Sequence, residues 1–359
     1  MSDSGNRPTR GRGATANPDS RYAEHQRESF DDGWHQEEAD SPRTELRIDS
    51  SRTVISYNRS PDIPFDRSIN PYRGCEHGCI YCYARPTHAW LGLSPGLDFE
   101  SRLFYKPDAA SLLEGELAKP GYSPATLVLG ANTDPYQPIE RRLRITRQIL
   151  EVLASCRHPF AITTKSALVL RDLDLLAPMA EQGLCAVQIS VTTLDPGLAR
   201  RLEPRAVSPR RRLDTVRRLA DAGVAVGVLV SPLIPGLTDQ DLERVLGAAA
   251  EAGASRAGCL LIRLPLEVKD LFRDWLAEHY PDRAEKVLGL IRQCRARRLN
   301  DPDFGTRMTG TGPYAELLKR RFEIAANRLG LKRHEDDWAL DSGRFRSPRC
   351  RCGQLALFD

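Results

Sequence analysis

Three cysteines lie within a run of eight residues, C-E-H-G-C-I-Y-C, at Cys75, Cys79 and Cys82. A cubane iron-sulfur cluster is normally bound by four thiolates, so three thiolates leave one iron open to a ligand that is not protein. A structural zinc site needs four ligands, and His77 or His88 would have to complete one. The C-x3-C-x2-C spacing differs from the paired C-x2-C arrangement of zinc modules, so it favours the cluster.

With its flanks, N-P-Y-R-G-C-E-H-G-C-I-Y-C-Y-A-R, this loop resembles the cluster loop of the radical S-adenosylmethionine (SAM) enzymes. The resemblance implies a 4Fe-4S cluster whose open iron is chelated by SAM, and reductive cleavage of SAM to methionine and a 5′-deoxyadenosyl radical. It also implies that Tyr81 lies against the adenine. Tyr83, on the other side of the third cysteine, is a candidate catalytic residue, and packing is the alternative for both tyrosines.

The composition is that of an enzyme with a large core: 359 residues, of which 41% are hydrophobic and 28% charged. No stretch approaches the roughly 18 apolar residues that a membrane span needs, so we expect no membrane partner. The chain has nine cysteines, and the six outside the loop are scattered, which suits a reducing compartment and a cytoplasmic location. The formal net charge of +4 is too small to indicate a nucleic-acid partner by itself.

Changes in composition divide the chain into four parts. Residues 1–45 have almost no aliphatic side chains and are predicted to form a disordered leader. Residues 54–299 are predicted to form the catalytic core. A helical cap is expected over 300–345 and a flexible tail over 346–359.

Short aliphatic runs alternate with amphipathic helical patterns through the core. Five of these runs predict strands, at 126–130, 160–164, 185–191, 224–230 and 258–264. Gly183, Gly223 and Gly253 each precede a strand, where glycine ends a helix in a left-handed cap. Repetition of this unit indicates parallel strands.

A sixth strand is predicted at 70–74, directly before the cysteines, and residues 141–155 have helical periodicity. The resulting fold class is α/β, and the resemblance implies the partial (βα)6 barrel of radical SAM enzymes. In such barrels the site lies at the carboxyl ends of the strands.

The resemblance also assigns polar groups at these strand ends to SAM. After the second strand, Asn132, Thr133 and Asp134 are candidates for the SAM amino group, although a turn at Asp134-Pro135 is the alternative. After the third strand, Lys165 in T-T-K-S is a candidate for pairing with the SAM carboxylate.

The fourth and fifth strands supply the remaining SAM candidates. Ser190 and Thr192 share one face of the fourth strand and suit the ribose hydroxyls, although solvent-facing polar alternation is an equal alternative. After the fifth strand, S-P-L-I-P-G-L-T-D resembles the turn that contacts adenine, through Ser231, Ile234 and Gly236.

Within the superfamily, residues 66–265 resemble the branch of spore photoproduct lyase, which repairs thymine dimers in DNA. The shared features are Y-C-Y around Cys82, T-D-P, T-T-K-S and L-E-P-R at 202–205. The lyases carry a hydrogen-donating cysteine at the end of the second strand, where this chain has Ala131-Asn132. Dimer repair by that route is therefore not implied.

Arginine-rich segments raise the hypothesis of a DNA or RNA substrate, with solvated helix faces as the alternative. They lie at 200–205, 210–212, 292–298 and 319–321. The resemblance further implies an electron donor such as flavodoxin or ferredoxin.

The terminal run Q-L-A-L-F resembles the pentapeptide with which bacterial DNA polymerases and repair proteins bind the replication sliding clamp. Gln354 would make the polar contact, while Leu355, Leu357 and Phe358 fill an apolar groove. A tail that packs on its own domain is the alternative. Cys350 and Cys352, just upstream, could supply half of a second cluster.

Two hypotheses follow. The first is a radical SAM enzyme that abstracts hydrogen from an unidentified substrate, with nucleic acid favoured. The second is a non-catalytic, clamp-associated DNA-maintenance protein in which an iron-sulfur or zinc site is structural. Turnover of SAM distinguishes the two.

Overall fold

A computed structural model describes residues 11–23, 43–333 and 340–348. The strands are β1 Glu45–Ile48, β2 Ile55–Tyr57, β3 Arg67–Ile69, β4 Tyr72–Arg73, β5 Arg102–Tyr105, β6 Leu127–Leu129, β7 Phe160–Thr164, β8 Cys185–Ser190, β9 Ala225–Leu233, β10 Arg256–Leu261 and β11 Lys332–Arg333. The α-helices are α1 Leu97–Ser101, α2 Ala109–Leu117, α3 Glu140–Leu143, α4 Ile145–Ser155, α5 Leu173–Glu181, α6 Pro196–Leu202, α7 Pro209–Asp221, α8 Leu242–Glu251, α9 Val268–His279, α10 Pro281–Gln293 and α11 Pro313–Arg328. Short 3-10 helices cover Arg85–Leu91, Ala167–Asp172, Asp239–Asp241 and Ser342–Arg344. Every helix in these ranges is too short or too polar to cross a membrane.

The main sheet has eight strands in the order β11-β10-β9-β8-β7-β6-β3-β2. Six of them, β3 and β6 to β10, run parallel in sequence order, which confirms the predicted strand-helix repeat. The first strand lies at Arg67–Ile69 rather than at 70–74. Residues 72–73 instead form β4, which pairs with β5 in a separate three-stranded sheet.

The connections between helices and strands follow the predicted glycine caps. Gly183, Gly223 and Gly253 have φ of 72°, 75° and 93°, as left-handed caps require. In each case the next residue donates its N–H five residues back into the helix, as from Leu184 to Met179 O at 2.9 Å. These caps return the chain to the amino end of the next strand.

The described residues form two large hydrophobic cores and one small cluster of Cys75, Ala84 and Phe99. The larger core lies around the sheet and is lined by fully buried side chains such as Ile162, Val187 and Val228. The smaller core forms around α9 and α10, with Trp275 at its centre, and includes Cys79. The cysteine loop therefore packs against this second core.

The amino-terminal segment differs from the predicted disordered leader, because residues 11–23 lie against the core. The segment has few aliphatic side chains, which is why composition predicted disorder. The segment is held instead by backbone bonds from Gly13 and Ala14 to Glu100 and by an ion pair of 2.6 Å between Arg21 and Glu267.

The carboxy-terminal region combines a helix with an added strand. The cap predicted over 300–345 contains α11, and it also contains β11, which pairs in parallel with β10. The clamp-binding residues Gln354, Leu355, Leu357 and Phe358, and the cysteines Cys350 and Cys352, lie outside the described residues.

Candidate cofactor site

The three cysteines lie on a loop beyond the carboxyl end of β3. The loop turns through hydrogen bonds from Gly78 N to Cys75 O (3.3 Å) and from Cys82 N to Cys79 O (3.2 Å). A Cβ at Gly78 would stand 2.6 Å from Glu100 Oε2, so this turn has no room for a side chain. All three thiols are free, with Cys75 and Cys79 buried and Cys82 half-buried.

The three thiols lie in an environment that disfavours their charged form. Burial raises the pKa of Cys75, and Asp134, Cys79 and Cys82 raise it further. Burial also raises the pKa of Cys79 to about 12, although Lys165 offsets part of that effect. Because thiolates this close repel one another, bound metal must supply compensating positive charge before all three ionise.

The positions of the donor side chains favour an iron-sulfur cluster over a zinc ion. Within the described residues, no group of three or more His, Cys, Asp or Glu side chains could hold one metal ion. Cysteines of a cubane bind different irons and need not converge on one point. His77 Nδ1 lies 3.3 Å from Asp134 Oδ2, and His88 Nε2 lies 2.9 Å from Arg102 O. The donor set fits a cluster with one open iron.

Arg85 holds the loop in place from the side of the protein interior, a role that no sequence motif predicted. Its side chain is fully buried, donates from Nε to Cys79 O at 2.9 Å and from Nη1 to Gly96 O at 2.9 Å, and pairs with Glu100. Arg85 stands inside the segment that resembles radical SAM enzymes, whereas no sequence pattern distinguishes Glu100.

Glu203, in the L-E-P-R segment, lies buried behind the loop. Its carboxylate accepts hydrogen bonds from Tyr81 Oη and from Thr192 Oγ1, the latter at 2.8 Å, and pairs with Arg212. Burial raises the pKa of Glu203, but Arg212 and Lys165 more than reverse this and hold it at about 2. The hydroxyls of Tyr81 and Thr192 are therefore used within the protein.

At the end of β6, Asp134 joins two strand ends. Its Oδ1 accepts from Tyr136 N (2.9 Å) and Thr164 Oγ1 (2.7 Å), and its Oδ2 accepts from Lys165 N (2.8 Å). Burial raises the pKa of Asp134, but His77 and these donors outweigh burial and hold it at about 2. The carboxylate thus forms the turn that was the alternative to a SAM contact.

The two residues before Asp134 have different partners. Thr133 is buried, and its Oγ1 donates to Tyr72 O at 2.8 Å. Asn132 is half-buried, and its backbone N–H donates to Asn70 Oδ1 at 3.0 Å. Like Thr192, Thr133 therefore donates its hydroxyl to an acceptor within the protein.

Four of the predicted SAM-binding residues have side-chain polar atoms without a hydrogen-bond or ion-pair partner in the described part of the chain, namely Asn132, Lys165, Ser190 and Ser231. Lys165 is half-buried after β7, and Ser190 is buried at the end of β8. Burial lowers the pKa of Lys165, but Cys79 and Glu203 more than reverse this, so it lies above its ordinary value. A charged, unpaired ammonium beside the cysteines suits a carboxylate ligand.

The turn after β9 packs against the smaller core. Ile234 is fully buried in the same cluster as Tyr81. Ser231 is half-buried and lies within β9, not after it as predicted, because the strand extends to Leu233. A Cβ at Gly236 would stand 2.8 Å from Leu290 Cδ1 on α10, so the turn approaches that helix closely. The predicted adenine contacts Tyr81 and Ile234 thus belong to one apolar cluster.

Tyr83 lies on the open side of the loop, with 47% of its surface exposed. Its Oη donates to Ala131 O, and Arg263 Cζ lies 5.7 Å from the centroid of its ring. By the resemblance, photoproduct lyases carry a cysteine in the segment that corresponds to Ala131-Asn132. The tyrosine hydroxyl therefore lies beside that segment.

Several arginines of the arginine-rich segments hold the structure together. Arg212 and Arg295 are buried, and Arg205 lies 3.1 Å from Glu76 Oε1. Arg295 donates to four backbone carbonyl groups, including Ile262 O at 2.7 Å. These three side chains have internal partners and are not free for phosphate.

Comparison with protein families and curated sequences agrees with this site. The model of the radical SAM superfamily matches residues 69–249. An uncharacterized protein of Mycobacterium tuberculosis is 37% identical over 233 residues, which are 64% of this chain and 68% of that protein. An uncharacterized protein of Methanocaldococcus jannaschii is 29% identical over 219 residues, which are 61% of this chain and 78% of that protein.

Among solved structures, spore photoproduct lyase complexed with dinucleoside spore photoproduct has a TM-score of 0.58 at 16% identity, covering 80% of this chain and 81% of that chain. A variant of the lyase with bound AdoMet and the same dinucleoside has a TM-score of 0.55 at 17% identity, covering 80% of each chain. At this identity the likeness shows a shared fold.

Proposed function

Because this chain belongs to the radical SAM superfamily, we propose that it is an enzyme that abstracts a hydrogen atom from a nucleic-acid substrate. Its cofactors are a 4Fe-4S cluster and SAM. The observation that carries the proposal is one loop with three free thiols and the unpaired ammonium of Lys165 beside it. The three thiols leave one iron of the cluster without a protein ligand. The ammonium suits the carboxylate of SAM.

Each residue of the site has a role in this proposal. Cys75, Cys79 and Cys82 hold three irons of the cluster. When bound, the cluster supplies the electron that cleaves SAM to methionine and a 5′-deoxyadenosyl radical. Lys165 pairs with the SAM carboxylate, and Ser190 binds the ribose. The other proposed SAM contacts are the ring of Tyr81, Asn132, Ser231, Ile234 and Gly236. Thr133, Asp134 and Thr192, whose side chains bond within the protein, are proposed to hold the backbone around SAM.

The nucleic-acid class is supported by fold. Two of the structural neighbours are complexes of a lyase with a dinucleoside. The half-buried cation Arg263 follows the carboxyl end of β10 in this chain. The net reaction differs from cysteine-dependent dimer repair, because Ala131 has no thiol. Tyr83, bonded to Ala131 O, is the proposed catalytic residue at that place.

The proposal extends to organisation and partners. The core spans 54–299 and the cap 300–345, and the tail 346–359 binds the replication sliding clamp through its Q-L-A-L-F run. Flavodoxin or ferredoxin donates the electron. Because of that terminal run, the second candidate function is a non-catalytic clamp-associated protein with a structural metal site.

The decisive experiment is anaerobic reconstitution with iron and sulfide, followed by reduction and addition of SAM. We expect 5′-deoxyadenosine together with the cluster's electron paramagnetic resonance signal, and faster formation when DNA or RNA is added. Cys79→Ala should lose both signals. Cys259→Ala, which removes a half-buried thiol on β10, should retain both.

The outcomes separate the two functions. A reduced, intact cluster that yields no deoxyadenosine, with or without nucleic acid, would contradict the enzyme and favour the structural site. Deoxyadenosine formation that neither DNA nor RNA changes, together with unaltered oligonucleotides, would leave the enzyme class standing and reject nucleic acid as its substrate.

A further inference from the structure

Arg263 is a half-buried cation at the carboxyl edge of the sheet. It follows the end of β10 by two residues, and its buried Nε has no hydrogen-bond partner in the described part of the chain. Its Nη1 lies 3.7 Å from Met308 Sδ. Among the described residues, no carboxylate oxygen lies within 4.0 Å of its guanidinium. A guanidinium normally recruits an acceptor in such a place.

Arg263 also borders the proposed cofactor site. Its Cζ lies 5.7 Å from the ring centroid of Tyr83, which directly follows the third cysteine. Tyr83 Oη in turn donates to Ala131 O beyond β6. Three separate segments therefore meet here, and together they border the open side of the cysteine loop.

The nearest acidic residues are engaged elsewhere. Asp62 pairs with Arg307, and Asp301 Oδ2 accepts from Thr306 Oγ1 at 2.7 Å. Burial lowers the pKa of Arg263, and Arg307 lowers it further. Both effects disfavour the positive charge, and an anion brought by a ligand would relieve both.

The surrounding backbone is fixed before any ligand binds. Arg295 donates to Ile262 O and to Arg307 O, both at 2.7 Å, and so joins the end of β10 to the loop that carries Met308. Leu261 N donates to Met308 O at 3.0 Å. Binding of an anion at Arg263 would therefore cost little further conformational entropy, because folding has already ordered the backbone of the site.

We propose that Arg263 binds a phosphodiester group of the substrate and thereby places the adjoining nucleotide beside Tyr83. The forked donors of arginine match the oxygens of a phosphate, and phosphate contacts set the position of a nucleic acid. This inference rests on the proposed function, because it takes the substrate to be nucleic acid. The competing role is stacking on Tyr83 alone.

The test pairs one charge on the ligand with one charge on the protein. The reconstituted enzyme with SAM is titrated calorimetrically with thymidylyl-thymidine and with its uncharged methylphosphonate analogue. We expect the wild type to bind the charged dinucleotide at least tenfold more tightly, and Arg263→Gln to bind the two with nearly equal affinity. Arg263→Lys, which keeps the charge without the fork, should give an intermediate ratio. Arg273→Gln, on the exposed side of α9, should retain the wild-type ratio.

The ratio of the two binding affinities decides whether Arg263 binds the phosphate. A wild-type ratio near one, or a ratio that survives in Arg263→Gln, would overturn the phosphate site while leaving nucleic acid as the substrate. Failure of the wild type to bind either dinucleotide would also overturn the phosphate site, and the deoxyadenosine assay with DNA and RNA would decide the nucleic-acid class separately. If Arg263→Gln does not fold, as circular dichroism would reveal, the ratio in Arg263→Lys decides, and an unchanged ratio there contradicts the proposal.

Discussion

Two buried ion pairs bracket the cysteine loop, Arg85 with Glu100 and Arg212 with Glu203. Removing one member of such a pair costs about 3–5 kcal/mol because the other charge is left buried and alone, although the pair itself adds little stability. Their effect is therefore on geometry. Each pair also bonds the loop, through Cys79 O on one side and Tyr81 Oη on the other, so the ligands are positioned by protein contacts.

Lys165 provides the clearest test of SAM binding by a single side chain. Lys165→Met should raise the dissociation constant for SAM roughly 10- to 150-fold, because a hydrogen bond to a charged group contributes about 1.5–3 kcal/mol. Equilibrium dialysis of the anaerobically reconstituted protein measures this. Lys269→Met, at an exposed position of α9, is the matched control. Equal affinities in both variants would remove Lys165 from the SAM site.

His158 links stability to pH at a place far from the cysteines. Its Nδ1 lies 2.9 Å from Pro159 O and its Nε2 lies 2.8 Å from Tyr122 Oη, while Phe345 packs edge-on at 5.2 Å. Burial lowers the pKa of His158 to about 4, despite the bond to Pro159, and Arg67 lowers it further. The folded protein therefore holds this ring neutral.

In the unfolded chain a histidine titrates near pH 6.5, so the unfolded state takes up the proton first as pH falls. The contribution of His158 is complete above about pH 6.5 and is lost progressively down to about pH 4. Between pH 7 and pH 5 the wild type should lose about 2 kcal/mol more unfolding free energy than His158→Gln. Urea titrations at both pH values measure this difference, and parallel losses would contradict it.

How far single residues were predictable depended on the distance of their partners along the chain. Lys165 and Asp134 were correctly expected beside a strand end, because strand ends follow from local pattern. The partner of Tyr81 was not predictable, since Glu203 lies 122 residues away. Arg263 was assigned to a strand, and its role depends on three segments that meet only in the folded chain.

At the level of elements, apolar runs and capping glycines located the sheet, while backbone irregularities escaped prediction. The helix predicted over 141–155 is divided into α3 and α4 at Arg144, which has φ of 54°. Glu140 bridges this break by accepting from Thr146 N at 3.1 Å. Hydrophobic periodicity is preserved across such a junction, so the sequence pattern alone predicts one helix.

The segment 11–23 should stabilise the cluster, because it lies across the back of the cysteine loop. Gly13 N and Ala14 N donate to the Glu100 carboxylate at 2.9 and 2.8 Å. A Cβ at Gly13 would stand 1.8 Å from Gly78 O. Gly13→Ala must therefore displace either the segment or the loop, and it should lower iron content per chain and speed iron loss to a chelator.

Gly115→Ala is the matched control for this element. Position 115 lies within α2, and a Cβ added there would have no neighbouring atom within 4 Å. Alanine should therefore raise stability by about 0.5–1 kcal/mol and leave iron retention unchanged. Identical iron loss from both variants would show that the segment does not support the cluster.

On the scale of the whole molecule, the site lies at the carboxyl ends of the sheet strands, and the end of the described chain lies at their amino ends. The cysteines, Lys165 and Arg263 follow the carboxyl ends of strands. Residues 340–348 instead lie at the amino ends, where Arg346 N donates to Cys156 O at 2.8 Å and Asp341 N to Gly183 O at 3.1 Å. A partner bound near this end would leave the site open to substrate.

This arrangement leads to a prediction for the terminal run Q-L-A-L-F. Deleting residues 354–359 should abolish binding to the bacterial sliding clamp, measured by surface plasmon resonance, because the deletion removes Gln354 and the apolar side chains that would fill its groove. Deoxyadenosine formation should be unchanged. Replacing Leu357 and Phe358 by alanine should reproduce the loss, whereas Asp359→Ala should not. Undiminished clamp affinity after the deletion would show that the run is not the binding element.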